Sequence, residues 1–268
     1  GIVNITPDSF SDGGRLTTAQ AAINHALRLE EEGADILDLG AESTRPGSDP
    51  VPVDEELRRL MPVLEGLVGR TRALISVDTR NAEVMRRAAE AGADIINDIS
   101  ALSHDPDALE VAAESGLPVI LMHTLGDPKT MQIDPRYDDA PLDIFDYLEE
   151  RVHRAEAAGI DRSRLIIDYG IGFGKTLEHN LALLAHTALF HALGLPILVG
   201  VSRKRFIGAL TGVEAPTERV AGSVGAALAA VGQGAQIIRV HDVAETRQAL
   251  TVWEAATSGG VPDVASHL

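Results

Sequence analysis

A polar residue follows each short apolar run in this sequence, and most of these residues are of types that bind ligands. They are Asn4, Asp38, Asp78, Asn97, His123, Asp168, Ser202, Arg239 and His241. Taken singly, Asp38 and Asp98 favour a simpler interpretation as capping or turn residues. Polar groups after all the runs indicate a shared site, because the carboxyl ends of barrel strands meet on one face.

Two carboxylates and one amide in this set could line a cavity that binds the N–H groups of a ligand. Asp78 and Asp168 close two of the runs, and Asn97 closes a third. Carboxylates accept hydrogen bonds in pairs, which suits a ligand edge with several N–H donors, such as an amino-pyrimidinone. A general acid/base pair and a hard-metal site are also consistent with these residues.

A local cluster of cations stands out because the chain is otherwise strongly acidic. The sequence has 23 basic and 40 acidic residues, a formal net charge of −17, which opposes general binding to nucleic acid or to a membrane surface. Arg239 and His241 are two apart, so in a strand both project to one face. Lys204 and Arg45 follow other apolar runs. Together these residues predict a site for phosphate or carboxylate.

The glycine-rich segment 170–176 ends like a phosphate-binding loop but lacks the first glycine of that motif, since Tyr169 stands there. No dinucleotide fingerprint occurs in it either. We expect His179, His186 and His191 to face solvent or to cap a helix. The sequence contains no cysteine, which excludes disulfides, thiol catalysis and thiolate metal sites.

The apolar runs alternate with longer segments of helical periodicity. Predicted strands cover 1–5, 35–40, 73–77, 94–98, 118–122, 164–168, 196–200 and 235–240. Predicted helices cover 18–32, 53–68, 80–91, 105–115, 141–158, 178–193, 215–232 and 243–256. Similar helix-to-strand junctions at Gly33, Gly92 and Gly234 support this count, because each glycine suits the left-handed residue that ends a helix.

Continuous Ile, Leu and Val runs are typical of parallel strands covered by helices. The pattern predicts an α/β fold, a single-domain (β/α)8 TIM barrel over residues 1–268, with an open doubly wound sheet as the alternative. No apolar run reaches the ~18 residues of a membrane span. A cytoplasmic protein fits best, and we expect the extreme N-terminus to be missing because no initiator Met precedes Gly1.

Several motifs in this sequence resemble dihydropteroate synthase, a pterin-binding TIM-barrel family. In chain order they are Asn4–Gly14, Glu42–Gly47, Val77–Thr79, Asn97–Ile99, Gly172–Lys175, Ser202–Lys204 and Arg239–Asp242. The resemblance covers essentially the whole chain, and its most specific parts are the first loop and the Ser-Arg-Lys motif.

The resemblance implies a transferase that joins 6-hydroxymethyl-7,8-dihydropterin pyrophosphate to p-aminobenzoate, forming 7,8-dihydropteroate for folate biosynthesis and releasing pyrophosphate. It assigns pterin binding to Asp78, Asn97, Asp168 and Lys204. It assigns pyrophosphate binding to Thr44, Arg45, Arg239 and His241. It assigns p-aminobenzoate binding to Pro46, Phe173, Ser202 and Lys204.

The same resemblance implies catalysis by Asp78, Lys204, Arg239 and His241, and Mg²⁺ binding through Asn4. It further implies a homodimer and sulfonamide binding at the p-aminobenzoate site. Two positions depart from the family, with Tyr169 in place of the usual Pro and Ala41 in place of a frequent Gly. These departures bear on loop shape and substrate affinity and leave the reaction class unchanged.

Two rival functions use the same barrel. A pterin-binding methyltransferase domain would have no need for residues 202–204 or for Thr44 and Arg45. A catalytically silent paralogue would bind pterin and serve a partner. Every proposed catalytic position is filled in this sequence, which favours the enzyme.

Overall fold

The computed structural model describes residues 1–5, 15–42, 48–126 and 129–260, in which strands alternate with α-helices. The strands are β1 (Ile2–Asn4), β2 (Ile36–Gly40), β3 (Leu74–Asp78), β4 (Ile95–Asp98), β5 (Val119–Met122), β6 (Leu165–Asp168), β7 (Leu198–Val199) and β8 (Ile237–Ile238). The helices are α1 (Arg15–Glu31), α2 (Val53–Leu67), α3 (Ala82–Ala91), α4 (Ala108–Ser115), α5 (Ala140–Ala157), α6 (Leu177–Ala185), α7 (Arg205–Thr211), α8 (Val220–Gly232) and α9 (Val243–Ser258). No helix in these ranges is long and apolar enough to cross a membrane.

The strands close into a ring. β1 to β6 form one parallel sheet in chain order, and β7 pairs in parallel with β8. Backbone hydrogen bonds join the two sheets at both edges. The Ile167 N–H donates to the Pro196 carbonyl at 3.0 Å, and the Ile2 N–H donates to the Val240 carbonyl at 2.9 Å. The predicted TIM barrel is therefore confirmed, and the open-sheet alternative is wrong.

The inside of the ring holds its own apolar layer. One side chain from each of six strands contributes to it: Ile36, Ile95, Ile120, Ile166, Leu198 and Ile237. Residues two apart in a strand point to the same side. Asp38, Asn97, Asp168 and Arg239 each follow one of these apolar residues by two positions, so they point into the ring one step nearer its carboxyl-terminal mouth.

The helix-to-strand junctions are as the sequence predicts. Gly33, Gly92 and Gly234 all have positive φ angles, of 102°, 100° and 96°. His179 caps α6 by accepting a hydrogen bond from the Thr176 N–H at 3.2 Å, and His186 is exposed at the end of that helix. His191 is instead half-buried, with Nε2 3.0 Å from the Gln233 carbonyl oxygen.

Four predicted elements between residues 178 and 240 differ in extent from those in the structure. The helix predicted over 178–193 is α6 followed by the 3-10 helix Thr187–Leu193, and the one over 215–232 is the 3-10 helix Pro216–Glu218 followed by α8. Helix α7 was not predicted, because seven residues are too few to show a helical period. β7 and β8 are two residues each, and Pro196 beside β7 lacks an N–H for the ladder. Arg239 and His241 therefore lie beyond β8 rather than within it.

Tyr169, the departure from the family pattern, belongs to the core. Its side chain is fully buried and its ring lies 4.9 Å from that of Phe190. The phenol oxygen and Thr187 Oγ1 are 2.8 Å apart. The side chain thus points away from the barrel mouth and fills space between β6 and the helices.

Removing the Tyr169 hydroxyl should therefore affect stability alone. Tyr169→Phe deletes one buried hydrogen bond, while Thr187 can still donate to the Leu184 carbonyl at 3.1 Å. We expect the free energy of unfolding in urea to fall by about 1 kcal/mol, with ligand affinity at the strand ends unchanged. Weaker ligand binding at unchanged stability would contradict this placement.

Candidate active site

The predicted site residues converge on the carboxyl-terminal mouth of the barrel. Asn4, Asp78 and Asp168 end their strands, Asn97 lies one residue before the end of β4, and the others follow β6, β7 or β8: Phe173, Ser202, Lys204, Arg239 and His241. Strand register places Asn4, Gly40, Asp78 and Asn97 side by side across four strands. Thr44, Arg45 and Pro46 lie outside the described residues.

Asp38 links the side chains in one half of this mouth by hydrogen bonds. Its carboxylate accepts hydrogen bonds from Ser76 Oγ at 2.6 Å, from Asn97 Nδ2 at 3.3 Å and from Arg239 Nε at 2.6 Å. Arg239 Nη2 also donates to Asp78 Oδ2 at 3.2 Å. The expectation that Asp38 is a capping or turn residue is therefore wrong. Its spacing, two residues after an inward apolar residue, is the signal that would have found it.

Asp98 behaves as the sequence predicts. Its carboxylate accepts hydrogen bonds from the N–H and Oγ of Ser100, at 2.7 and 2.6 Å, and from the Leu102 N–H at 2.9 Å. All these partners belong to the loop that follows β4, so Asp98 organises that loop and has no part in the mouth.

The two carboxyls around Arg239 differ in protonation. Burial and the neighbouring charge of Asp38 raise the pKa of Asp78 to about 8. Burial also acts on Asp38, but the charge of Arg239 and the hydrogen bonds from Ser76, Arg239 and Asn97 outweigh it and hold the pKa of Asp38 below its usual value. At neutral pH the trio thus consists of an ionised Asp38, a cationic Arg239 and a protonated Asp78.

Asp168 and Lys204 form the other half of the mouth. Burial raises the pKa of Asp168, and the charge of Lys204 opposes that rise. Burial lowers the pKa of Lys204 to about 8. The Lys204 Nζ donates to the Ile171 carbonyl and lies 4.7 Å from the centre of the Phe173 ring. A carboxylate, a cation and an aromatic face therefore stand together on this side.

The residue before Lys204 has a strained backbone conformation. Arg203 has a φ of 59°, a left-handed conformation that costs a non-glycine residue about 1 kcal/mol or more and persists only where the surroundings impose it. Its guanidinium pairs with Asp242, with Nε to Oδ2 at 3.0 Å, and its N–H donates to Ser223 Oγ at 2.8 Å. The pair joins the loop after β7 to the loop after β8.

The same two loops bring Ser202 to His241. Ser202 Oγ accepts a hydrogen bond from the His241 N–H at 3.1 Å and lies 3.0 Å from the His241 Nδ1. Two residues predicted for different substrates thus share one contact. Sequence reasoning missed Arg203 and Asp242 as the residues that hold this contact in place.

A buried ion pair joins Glu42, which follows β2, to Arg80, which follows β3. The Arg80 guanidinium donates to Glu42 through Nε and Nη2, both at 3.2 Å, and Glu42 Oε1 also accepts from the Val51 N–H at 3.1 Å. Glu42 thereby ties the two described ends of the segment that contains Thr44 and Arg45 to β3. Sequence reasoning singled out neither Arg80 nor this role of Glu42.

The described residues include no group of three or more His, Cys, Asp and Glu side chains that could hold a metal ion. Asn4, half-buried at the end of β1, offers one amide oxygen at the mouth. Mg²⁺ typically keeps several waters and takes few protein ligands beside substrate phosphates. A single amide beside the cation cluster fits such a shared site and does not fit a closed protein cage.

Comparison with known proteins agrees with this fold and site. The family of pterin-binding enzymes matches residues 1–241. The chain is 53% identical over 258 residues to the dihydropteroate synthase of Escherichia coli K12, covering 96% of this chain and 91% of that protein.

Two solved structures are similar over nearly their full length. One is the Xanthomonas albilineans dihydropteroate synthase with 4-aminobenzoic acid, at a TM-score of 0.92 and 56% identity over 96% of this chain and 92% of that one. The other is the Yersinia pestis dihydropteroate synthase with a sulfonamide drug, at 0.91 and 51% over 96% and 93%. This chain therefore belongs to the pterin-binding enzymes and, among them, to the dihydropteroate synthase family.

Protonation of Asp78 predicts a dependence of stability on pH. The pKa is about 8 in the folded protein and about 3.9 in an unfolded chain. Between these values the folded state binds one proton more, so the free energy of unfolding falls as the pH rises, by up to about 1.4 kcal/mol per unit. Asp78→Asn should flatten this fall in urea-unfolding curves recorded from about pH 4 to about pH 8.

The exposed Asp161 supplies the control, because its carboxylate bonds only to Ser163 beside it. Asp161→Asn should leave the slope of stability against pH unchanged over this range. Identical slopes in wild type and Asp78→Asn would mean that Asp78 is ionised in the folded protein.

Proposed function

We propose that this chain joins 6-hydroxymethyl-7,8-dihydropterin pyrophosphate to p-aminobenzoate, releasing pyrophosphate and forming 7,8-dihydropteroate for folate biosynthesis. The observation that carries the proposal is the convergence of Asp78, Asn97, Asp168, Lys204 and Arg239 at one barrel mouth, in a member of the dihydropteroate synthase family. The domain spans residues 1–268 and functions as one barrel.

The pterin lies on the carboxyl and amide groups. Asp78, Asn97 and Asp168 are each at most 8% exposed, so a ligand that reaches them leaves water and must satisfy their hydrogen bonds. A flat edge with several N–H groups does this, and Lys204 adds a donor for a ring carbonyl or nitrogen. The burial of three acceptors together supports a pterin ring in preference to a purely anionic ligand.

The pyrophosphate lies against the cations. Arg239 uses Nε and Nη2 for Asp38 and Asp78, and none of its hydrogen bonds to described residues uses Nη1. Its side chain is 25% exposed, which leaves this edge for a phosphate oxygen. His241 stands two residues further along the same loop, and Thr44 and Arg45 complete the predicted set.

The p-aminobenzoate lies between Phe173, Ser202 and Lys204, with Pro46 as a further predicted contact. The Phe173 ring offers an aromatic face, and Lys204 and Ser202 offer donors for a carboxylate. The related Xanthomonas albilineans enzyme with 4-aminobenzoic acid supports this ligand. The related Yersinia pestis enzyme with a sulfonamide drug supports sulfonamide binding by this chain as well.

The reaction forms a C–N bond between the amine and the pterin methylene carbon. The C–O bond to pyrophosphate breaks, its electron pair leaves with the oxygen, and the amine loses one proton. Arg239 and His241 stabilise the departing charge, and the buried mouth positions both reactants and excludes water. Bound Mg²⁺, held by Asn4, would neutralise further phosphate charge.

Both aspartates that face the pterin have raised pKa values. Asp78 retains its proton at neutral pH, because its pKa is about 8, and it therefore can donate as well as accept a hydrogen bond. Burial also raises the pKa of Asp168, and the charge of Lys204 opposes that rise. Lys204 thus favours the ionised form of Asp168, which would stabilise positive charge that develops on the pterin methylene.

One apolar surface supports the proposal of a homodimer. Helix α8 has no charged residue, and its outer side exposes Ala221, Gly225 and Ala229. Leu210 on α7 and Val252 on α9 are 55% and 65% exposed. Small and apolar residues together favour close helix packing against a second copy. The cytoplasmic location stays a prediction from the sequence.

A pyrophosphate-release assay tests the proposed reaction. Release should require pterin pyrophosphate, p-aminobenzoate and Mg²⁺ together. Asp168→Asn replaces a buried acceptor by a donor and should lower kcat/KM by at least ~10-fold, in line with a loss of about 1–3 kcal/mol.

The exposed Asp161 again supplies the matched control, and Asp161→Asn should retain wild-type turnover. Pyrophosphate release without p-aminobenzoate, or full activity in Asp168→Asn, would contradict the proposed function.

A further inference from the structure

Lys175 is a buried lysine that the proposed chemistry leaves without a role, and burial holds its pKa well below the usual lysine value. It is 4% exposed and is one of three lysines in the sequence, with Lys129 and Lys204. It is the last residue but one of the glycine-rich segment 170–176, which resembles the end of a phosphate-binding loop. Its Nζ does not face the mouth as in such a loop. It donates to the Phe173 carbonyl at 2.9 Å and lies 3.0 Å from the His123 Nδ1.

The loop that contains Lys175 is fixed from several sides. The Gly172 N–H donates to Asn180 Oδ1 at 2.7 Å, and its carbonyl accepts from Gln132 Nε2 at 2.6 Å. The Tyr137 hydroxyl donates to the Gly174 carbonyl at 2.8 Å. Gly170 has a φ of 68°, and a Cβ there would lie 2.0 Å from the His123 carbonyl oxygen. Phe173 itself is held at both of its backbone polar groups, because its N–H donates to the Gly170 carbonyl at 3.1 Å and its carbonyl accepts from Lys175.

His123 is suited to accept a hydrogen bond from the lysine. Burial and the charge of Lys175 lower the pKa of His123 to about 2, so the imidazole is neutral. The Lys175 amine then donates to Nδ1, and the histidine proton resides on Nε2. Two acceptors, one just after β5 and one in the loop after β6, thereby hold the Lys175 nitrogen between them.

Phe173 stands between the buried Lys175 and the half-buried Lys204. Its carbonyl oxygen accepts from Lys175, and its ring faces the Lys204 Nζ at 4.7 Å. We propose that Lys175 is a positioning residue for the p-aminobenzoate half of the site, because it anchors the Phe173 backbone so that the ring stands against Lys204. This inference rests on the proposed function for the identity of the ligand.

Measuring the KM for each of the two substrates tests the proposal. Lys175→Met keeps an unbranched side chain one atom shorter and removes the donor, so we expect the KM for p-aminobenzoate to rise about tenfold. The KM for pterin pyrophosphate should change less than about twofold. Lys129→Met is the control, since among the described residues the exposed Lys129 pairs with the exposed Asp49, and it should match the wild type.

Two outcomes of this assay would overturn the proposal. A loss of stability with both KM values unchanged would make Lys175 purely structural. An equal rise in both KM values would locate its effect at Asp168, whose pKa its charge also lowers, rather than at Phe173.

Chemical rescue tests whether the side-chain nitrogen of Lys175 is the group that matters. The sequence has no cysteine, so Lys175→Cys carries the only thiol and can be alkylated in the unfolded state and refolded. Bromoethylamine gives a side chain of lysine's length with its amine, and bromopropane gives the same length without it. Only the aminoethylated protein should recover the low KM for p-aminobenzoate. Equal recovery with both reagents would contradict the proposal.

Amide hydrogen exchange gives a readout that does not depend on turnover. Lys175→Met should speed exchange of the Gly172 and Phe173 amides relative to Lys129→Met, because their loop loses an anchor. Unchanged exchange would overturn the positioning role. Absence of turnover in the wild type would instead count against the proposed function and leave this comparison intact.

Discussion

An ionised carboxylate inside a barrel must be surrounded by donors, and Asp38 meets this requirement by accepting hydrogen bonds from side chains on two other strands and one loop. Removing a carboxylate from water costs several kcal/mol unless hydrogen bonds and an opposite charge replace the water. Ser76, Asn97 and Arg239 supply these for Asp38. Because these donors come from β3, from β4 and from the loop after β8, the carboxylate fixes how the mouth's strands present their ends.

The charge state of the mouth follows from that arrangement. One guanidinium cannot fully compensate two adjacent buried carboxylates, so Asp78 keeps a proton while Asp38 gives its own up. On the far side the charge of Lys204 opposes the rise that burial causes in the pKa of Asp168. The mouth is therefore organised before any ligand arrives, and a substrate meets preformed donors and acceptors, which lowers the cost of binding and of charge stabilisation.

Sequence reasoning predicts the barrel well because its signals are local. Apolar runs fix the strands, and glycines such as Gly92 mark where helices end. The mouth residues are predictable too, since Asn97 and Asp168 each follow an inward isoleucine by two positions. Asp38 has the same spacing, but as a single aspartate it looks like a turn residue, and its true partners come from distant strands.

Other features depend on contacts that no local pattern encodes. Lys175 turns inward because Gly170 lets the loop approach the His123 carbonyl, whereas its sequence resembles a phosphate-binding loop. Arg203 adopts a left-handed conformation only because Asp242 and Ser223 hold it. Tertiary packing overrides local preference at these positions.

Measuring the binding of pterin pyrophosphate to two matched variants tests whether Asp38 organises the ligand site. Asp38 and Asp98 are both buried aspartates near strand ends, but Asp98 bonds only within its own loop. Calorimetry should find that Asp38→Asn weakens binding at least ~10-fold, as loss of a charged acceptor predicts, while Asp98→Asn changes the affinity little. Equal affinities for the two variants would contradict the account.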